Sequence, residues 1–348
     1  MINLLPKEVF TAIDNMIKTP PRSVLTARQI AKVRPADSRF KDTLEFFYYT
    51  PKGSVEVYAA GGSASEIPIV NGEGGKVNIT AHYLTNAYRV SESERDYLAE
   101  AVRQGRQPNI NIVQNRILDA TSFIYRGENS IFFKGDPKLG LKGLLNFSQL
   151  VGGTTISINS AQVPETVVNP NSASNGAGAL AHTRKWWKNK TAEEILKDIL
   201  AGRDKIASYE INGIPLFDPN TLIVPKHLYS VFIKPFSSTA PDYTLMRYLQ
   251  DNKLFQNIWF MHEVSKKYVG NAVTATANNQ GDHFIIMDNS EKVLEYGIGY
   301  DAQQFPEETQ RELNNGNYTI PVRMKTFGLC LYHPTAIYRG DNIGDGNP

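Results

Sequence analysis

Imidazole is the side chain best suited to moving protons or holding a metal near neutral pH. The six histidines are therefore the place to look for chemistry: His82, His182, His227, His262, His283 and His333. They are isolated from one another along the chain. His262-Glu263 opens like a zinc-protease helix, yet no second histidine follows four residues after the first. Gly72-Glu73-Gly74-Gly75-Lys76 is rich in glycine, but it lacks the spacing and the following serine or threonine of a phosphate-binding loop. No nucleophile-elbow pattern occurs. Each lone histidine reads as structural. The sequence thus predicts no catalytic residue, no cofactor and no metal, and a chain that is not an enzyme.

Two smaller features remain. Cys330 is the one cysteine, which excludes an internal disulfide, and it reads as a small apolar residue buried in a strand. His182-Thr183-Arg184-Lys185-Trp186-Trp187-Lys188 interleaves basic residues with tryptophan. Such a run can stack on nucleic acid; the preferred reading is tryptophans packed at a domain edge with their lysines in solvent.

At 348 residues the chain holds one large or two ordinary domains. With 41% hydrophobic and 21% charged residues it has a globular composition, and a net charge of +2 argues against a dedicated nucleic-acid binder. Met1 to Leu5 is too short for a signal peptide and no apolar run is long enough to span a bilayer. The expectation is a soluble protein made inside the cell, so the sequon Asn78-Ile79-Thr80 carries no glycan.

With no site to position, the elements themselves carry the information. Ile110, Val113, Ile117, Thr121 and Ile124 recur at spacings of three and four, with Arg116, Asp119 and Arg126 off that stripe. This predicts an amphipathic helix over 108–126, opened by Pro108 and ended by Gly127. It leads through Ile131-Phe132-Phe133 into the glycine-punctuated loop Gly135 to Asn146, whose leucines must dock somewhere. Before it, Thr43 to Gly75 is rich in β-formers, including the aromatics Phe46 to Tyr49, and reads as a long hairpin. Its tip falls at Pro51-Lys52-Gly53 or at Ala60-Gly61-Gly62-Ser63. Val77 to Val90 reads as one strand and Ser91 opens a helix with Glu92 and Glu94 in its first turn. Thr191 caps a second clear helix running to Tyr209. From Asn212 strands at Thr221–Pro225, Ile258–Met261 and His283–Met287 alternate with helices at Lys226–Ile233 and Tyr243–Asp251, the latter capped by Asp242. The chain closes with strands at Tyr318–Lys325 and Gly328–Tyr332. Residues 1–42, with a weak amphipathic helix from Pro6 to Ile17, read as an arm that lies on something else, and 147–190 as an irregular surface insertion. The fold class is α+β.

Three segments carry a resemblance: the long helix leading into Leu139-Gly140-Leu141-Lys142-Gly143-Leu144-Leu145-Asn146; Lys190-Thr191-Ala192-Glu193-Glu194-Ile195-Leu196-Lys197-Asp198-Ile199 behind the tryptophans; and a strand, Gly328, a strand, then His333-Pro334-Thr335-Ala336-Ile337. In this order they resemble the major capsid proteins of tailed bacteriophages with the Hong Kong 97-type fold, in the branch close to encapsulin shell proteins. Phe327 stands where the family usually has a second glycine. The resemblance implies an N-terminal arm over 1–42 and an extended hairpin, the E-loop, over 43–76. It implies a P-domain over 77–212 with the long helix as its spine, an A-domain over 213–295, and return strands over 296–348. Phe46, Phe47, Tyr48, Tyr49, Lys52, Val57 and Tyr58 would then be E-loop contacts with a neighbouring subunit, and Ile110, Val113, Ile117 and Ile124 the buried stripe of the spine.

The implied function is self-assembly into pentamers and hexamers of an icosahedral shell around phage double-stranded DNA, which is contacted only weakly. The implied place is the virion, assembled in the host cytoplasm with no membrane. Portal and decoration proteins are further partners such shells can have, and any scaffold is expected to be a separate protein, since the sequence leaves no room for a cleaved scaffolding segment; whether a scaffold or decoration protein is needed stays open. Some family members cross-link a hairpin lysine to an asparagine of the next subunit. Lys52 is the lysine best placed, and it is expected to remain solvated and unreacted. An encapsulin-like nanocompartment enclosing a cargo enzyme is the alternative, and a metabolic α+β enzyme a third reading.

Overall fold

The computed structural model describes residues 26–35, 41–52, 71–103, 112–151, 154–164, 166–168, 182–184, 186–211, 214–237, 240–270, 281–305, 310–311 and 317–344. Two five-stranded sheets and a long helix dominate it. In the first sheet, Leu294–Gln304 lies between Lys32–Pro35, parallel to it, and Tyr318–Leu331, antiparallel to it; His82–Val90 and Gln310–Arg311 also pair with Tyr318–Leu331. In the second, the order is Asn257–Met261, Thr221–Pro225, His283–Met287, Ile337–Asp341 and Asn159–Gln162.

The second sheet explains why its two central strands read as unbroken apolar runs. Thr221–Pro225 and His283–Met287 are buried at every position. Successive strand residues face opposite sides, so Leu222, Val224, Phe284 and Ile286 enter one core with helix Ala192–Ala207, while Ile223, Ile285 and Met287 enter the other with the long helix and the first sheet. This sheet is the wall between two cores. The tryptophan at Trp187 is fully buried in the first of these, against Phe232 and Phe284, and its indole N–H donates to Asp198 at 2.9 Å. Trp187 is therefore a core residue, deeper than the domain edge at which the preferred reading placed it. The helix Ala192–Ala207 begins with the expected cap: the Thr191 hydroxyl accepts from the Glu194 N–H and the Glu194 carboxylate accepts from the Thr191 N–H. Ser91 and Glu94 form the same reciprocal pair at the start of Glu92–Arg103.

Several elements depart from the sequence reading. The long helix spans Ile112–Lys134, so Gly127 is interior and the helix runs on to Gly135, at φ 69°. An interior glycine costs only about 1 kcal/mol relative to alanine, and the turn beyond it is held by partners distant in sequence. Residues 104–111, Pro108 and Ile110 among them, lie outside the described residues. Val77–Val90 is two strands, Asn71–Thr80 and His82–Val90, divided at Ala81 because the first pairs only with the hairpin and the second with the main sheet. The helix predicted at Tyr243 starts at Leu245 and is capped by Thr244, not Asp242, since Ala240–Thr244 forms a strand against Pro235–Ser237. The two C-terminal strands are one, Tyr318–Leu331, in which Gly328 takes φ 77° and the pairing with Leu294–Gln304 shifts register at Gly297 and Ile298. Nor is the whole of 1–42 unpatterned: Ala27, Ile30 and Ala31 are buried and Lys32–Pro35 joins the first sheet.

After the long helix the chain turns back as a short ribbon, Gly135–Asp136 against Leu141–Lys142. Leu144 and Leu145 donate their N–H groups to the Phe132 and Phe133 carbonyls, at 2.7 and 3.0 Å. These are carbonyls of the helix's last turn, which would otherwise lack partners. Asn146 closes the loop by donating to Lys134 O and accepting from Gly143 N–H, both at 2.8 Å. A Cβ at Gly143 would sit 2.5 Å from Gly135 N and from Phe133 C, both backbone atoms that cannot swing away. Gly143→Ala should therefore lower unfolding stability by about 1–3 kcal/mol. A shift in urea midpoint checks this, and an unchanged midpoint would show that the ribbon relaxes freely.

Candidate assembly surfaces

The hairpin pairs Thr43 with Thr80 and continues in register to Lys52 opposite Asn71. Pro51 and Lys52 are thus strand residues, which excludes a tip at Pro51-Lys52-Gly53; the other expected tip lies outside the described residues. Among the described residues no third strand joins this pair. Among the described residues, the contacts that fasten it to the body are at its base. Leu44, Val77 and Ile79 pack with buried Cys330 and with Tyr332, whose surroundings push the Cys330 thiol up to about 12 by burial. The Ala81 N–H donates to Asp42 O at 2.8 Å, and the buried Lys325 ammonium reaches the Asp42 carboxylate at 2.8 Å. Further along, Phe47 is 76% exposed. Phe46, Tyr48, Tyr49 and Lys52 lie on the same strand, but their side chains, like Val57 and Tyr58 altogether, fall outside the described residues.

On the long helix, Ile124 is buried and Ile117 packs partly buried against the same core. Val113 is on the helix with its side chain outside the described part. The opposite face shows Leu118 and Phe123 to solvent, with the Arg126 guanidinium 5.3 Å from the Phe123 ring centre. The segment beyond Gly127 carries the polar groups that the sequence reading missed. Glu128 is buried and takes two hydrogen bonds from Arg28, at 2.8 and 3.1 Å; the same guanidinium reaches Asp301. Burial pushes the Glu128 carboxyl up while Arg28 pulls it down, and burial prevails. Asn129 accepts from the Ala27 N–H at 3.0 Å and the Thr26 N–H at 3.3 Å, and donates to buried Glu263 at 2.8 Å.

The histidines fall apart in space as in sequence. His283 Nδ1 lies 2.8 Å from Asp341 Oδ1, which resembles the base and orienter of a catalytic triad. Both are buried, however, and the remaining Asp341 acceptors are taken by Arg339 at 2.7 and 3.0 Å. Arg339 also donates to Leu145 O. The group therefore joins the second sheet to the loop after the long helix, with no surface open to a substrate. His227 Nε2 meets buried Asp282 at 3.0 Å, and Asp282 accepts the Lys266 N–H. Burial holds His333 below the ordinary imidazole value. Among the described residues no three histidine, cysteine, aspartate or glutamate side chains could hold a metal ion, and no helix is long and apolar enough to cross a membrane. Neither network was legible from spacing, since Asp341 stands 58 positions from its histidine.

Burial alone would raise the Asp341 carboxyl, but hydrogen bonds from His283 and Arg339 hold it below the ordinary value. A depressed folded-state value stabilises the fold above the unfolded carboxylate value, near 4, and that contribution fades as pH falls through the folded one. Asp341→Asn leaves Arg339 buried without its anion and should cost about 3–5 kcal/mol at pH 7. The difference from wild type should narrow as the pH falls from about 4 toward the lower folded-state value, at which wild-type Asp341 also becomes neutral in the fold. Urea unfolding at pH 7 and pH 3 tests this; a constant difference would contradict the assignment.

The whole arrangement can be compared with known proteins. Across the chain the structure is similar to the capsid of Myoviridae Phage XM1, with a TM-score of 0.65, 13% identity, and coverage of 98% of this chain and 100% of that one. It is similar to the capsid of an empty GTA particle, with a TM-score of 0.57, 13% identity and 95% and 94% coverage. A structure of Mycobacterium phage Ogopogo matches with a TM-score of 0.53, 10% identity and 97% and 99% coverage. At such identities the likeness speaks for the fold, which is the α+β Hong Kong 97-type fold. A comparison with curated protein sequences finds no match. Residues 60–343, most of the chain, match the family described as Major capsid protein. The chain belongs to the major capsid protein family, and its role is structural.

Proposed function

We propose that the protein is the repeating subunit of an icosahedral phage shell, closing into pentamers and hexamers around double-stranded DNA, and that it catalyses nothing. The observation that carries this reading is the hairpin: a ten-residue antiparallel ladder whose described contacts with its own chain are at the base, with Phe47 largely in solvent. A two-stranded ribbon is marginal in water, and its remaining partner is naturally a neighbouring subunit. On this reading the E-loop comprises 43–76, the P-domain 77–212 and the A-domain 213–295, with 296–348 returning to the P-domain and 1–42 extending as an arm. The aromatics Phe46, Phe47, Tyr48, Tyr49 and Tyr58, with Val57, are the contact set. Assembly takes place in the host cytoplasm, any scaffold, portal or decoration protein being a separate chain, and DNA is touched without being gripped, in keeping with a net charge of +2. The family match favours this over a nanocompartment shell.

Replacing residues 46–74 with a short Gly/Ser linker should leave a chain that unfolds cooperatively by circular dichroism yet elutes as small species on size exclusion. A variant that still elutes as closed particles would overturn the hairpin's role. Lys52 is taken as unreacted, so particles boiled in denaturant should run as single chains; a ladder that disappears in Lys52→Ala would contradict this.

A further inference from the structure

The ribbon after the long helix holds an apolar side chain out into solvent on a fixed mount. Leu139 is 54% exposed, and its neighbours Pro137, Lys138 and Gly140 are exposed as well. The tip does not hang loose. Leu139 and Gly140 donate N–H groups to Asp136 O and Pro137 O, at 3.2 and 3.3 Å, and the Asp136 carboxylate accepts the Lys138 N–H at 2.9 Å. Gly140 takes φ 69°, which closes the turn back into Leu141. Below, the Gly135–Gly143 contact and the two Asn146 hydrogen bonds fix the ribbon to the helix end. A leucine held this way loses little further freedom when it is buried by a partner.

Beside the ribbon lies an open groove of about 390 Å³. Its apolar walls include Val77, Ile79, Ile131, Phe147, Phe327 and Leu331, contributed by the hairpin base, the long helix and the first sheet. Leu139 stands at the rim of this groove rather than in it: it contributes to the lining while more than half its surface stays exposed. The turn hydrogen bonds keep it there. The described residues therefore carry both an apolar knob held out into solvent and an apolar hollow that they leave open, on adjoining parts of one surface.

We propose that Leu139 of one subunit seats in this groove of a second copy of the chain. The occupant is a second copy because the chain supplies both complementary members, and because the solved structures it resembles are assembled capsids. A contact in which each copy gives its knob to one neighbour and receives another's is heterologous, the kind that closes into a ring when its rotation divides the full turn. The contact is too small to hold copies together alone, since stable interfaces bury on the order of 1,600 Å²; it sets the register of a larger one. This rests on the shell-subunit reading above.

The test uses two variants of the full chain that each add one cysteine, Leu139→Cys and Thr80→Cys, the second at an exposed position on the groove's rim. Native Cys330 is buried and does not compete. The two variants are co-assembled and oxidised, then run without reductant. A disulfide-linked dimer that requires both variants, and that either variant alone does not give, is the expected result. Particles that form normally with no mixed dimer would overturn the groove contact while leaving the shell reading intact; wild-type chain that never assembles would count against both. In parallel, Leu139→Asp should keep the wild-type thermal midpoint, because the side chain is already exposed, while particle yield falls at least tenfold. Undiminished yield would also overturn the proposal.

Discussion

The turn of helix at Glu128 and Asn129 is the constraint on which the rest of the fold depends. Three parts of the chain that are far apart in sequence meet there: the N-terminal segment through Arg28 and the Thr26 and Ala27 N–H groups, the first sheet through Asp301, and the loop before the second sheet's third strand through Glu263. Buried polar groups are tolerable only when paired. Asn129 answers two backbone donors and one buried carboxylate at once, and Glu128 is matched by a guanidinium that Tyr125 also covers, at 5.0 Å. Taking away any one partner would strand the others, so the group holds together as a unit. It also fixes where the helix must end. Within the next turn, the Phe132 and Phe133 carbonyls receive the returning loop, and the loop's Leu145 carbonyl receives Arg339 from the second sheet.

Those links matter because the two cores have no gap between them. The second sheet offers alternate residues of the same strand to each, so the cores cannot part without opening a fully buried sheet. Arg339 and Asp341 sit in the strand that completes this wall, next to His283. A charged group there is stabilising only as a closed set. Its service is to lock the wall to the helix–loop corner, which carries the exposed ribbon.

Elements whose signals are local were legible. The capping boxes at Ser91/Glu94 and Thr191/Glu194, and the buried strands Thr221–Pro225 and His283–Met287, follow from residues close in sequence. The failures share a cause. Gly127 looks like a stop because its local cost is visible and the compensating partners Arg28 and Glu263 are 100 and 134 positions away from the helix residues they meet. Asp242 looks like a cap because the strand that claims it depends on Pro235–Ser237. Leu294–Gln304 escaped notice because its second half is polar and irregularly paired. The proposed contact surface shows in the sequence only as a cluster of aromatics on a hairpin. Periodicity records what a chain buries in itself, and Phe47 is not buried in its own chain.

The division between buried and exposed apolar residues bears on how such a chain assembles. Phe47 on the hairpin, Leu139 on the ribbon, Leu118 and Phe123 on the helix, and Tyr229 and Ile233 beside the second sheet lie on separate elements. No one of them forms the broad patch that drives indiscriminate association. Burying a leucine or phenylalanine is worth roughly 1.5–3 kcal/mol, less than the cost of immobilising a free subunit. A single wrong contact therefore dissociates. When several such contacts are satisfied together, the later ones form between partners already held, and their contributions accumulate. That selectivity requires the contact residues to keep fixed relative positions before any partner arrives. Leu139 has such a position through the hydrogen bonds of its turn, and Phe47 through a ladder whose base is anchored by Lys325 and Asp42. The rigidity built into the monomer at these points is what allows weak contacts to specify one closed arrangement.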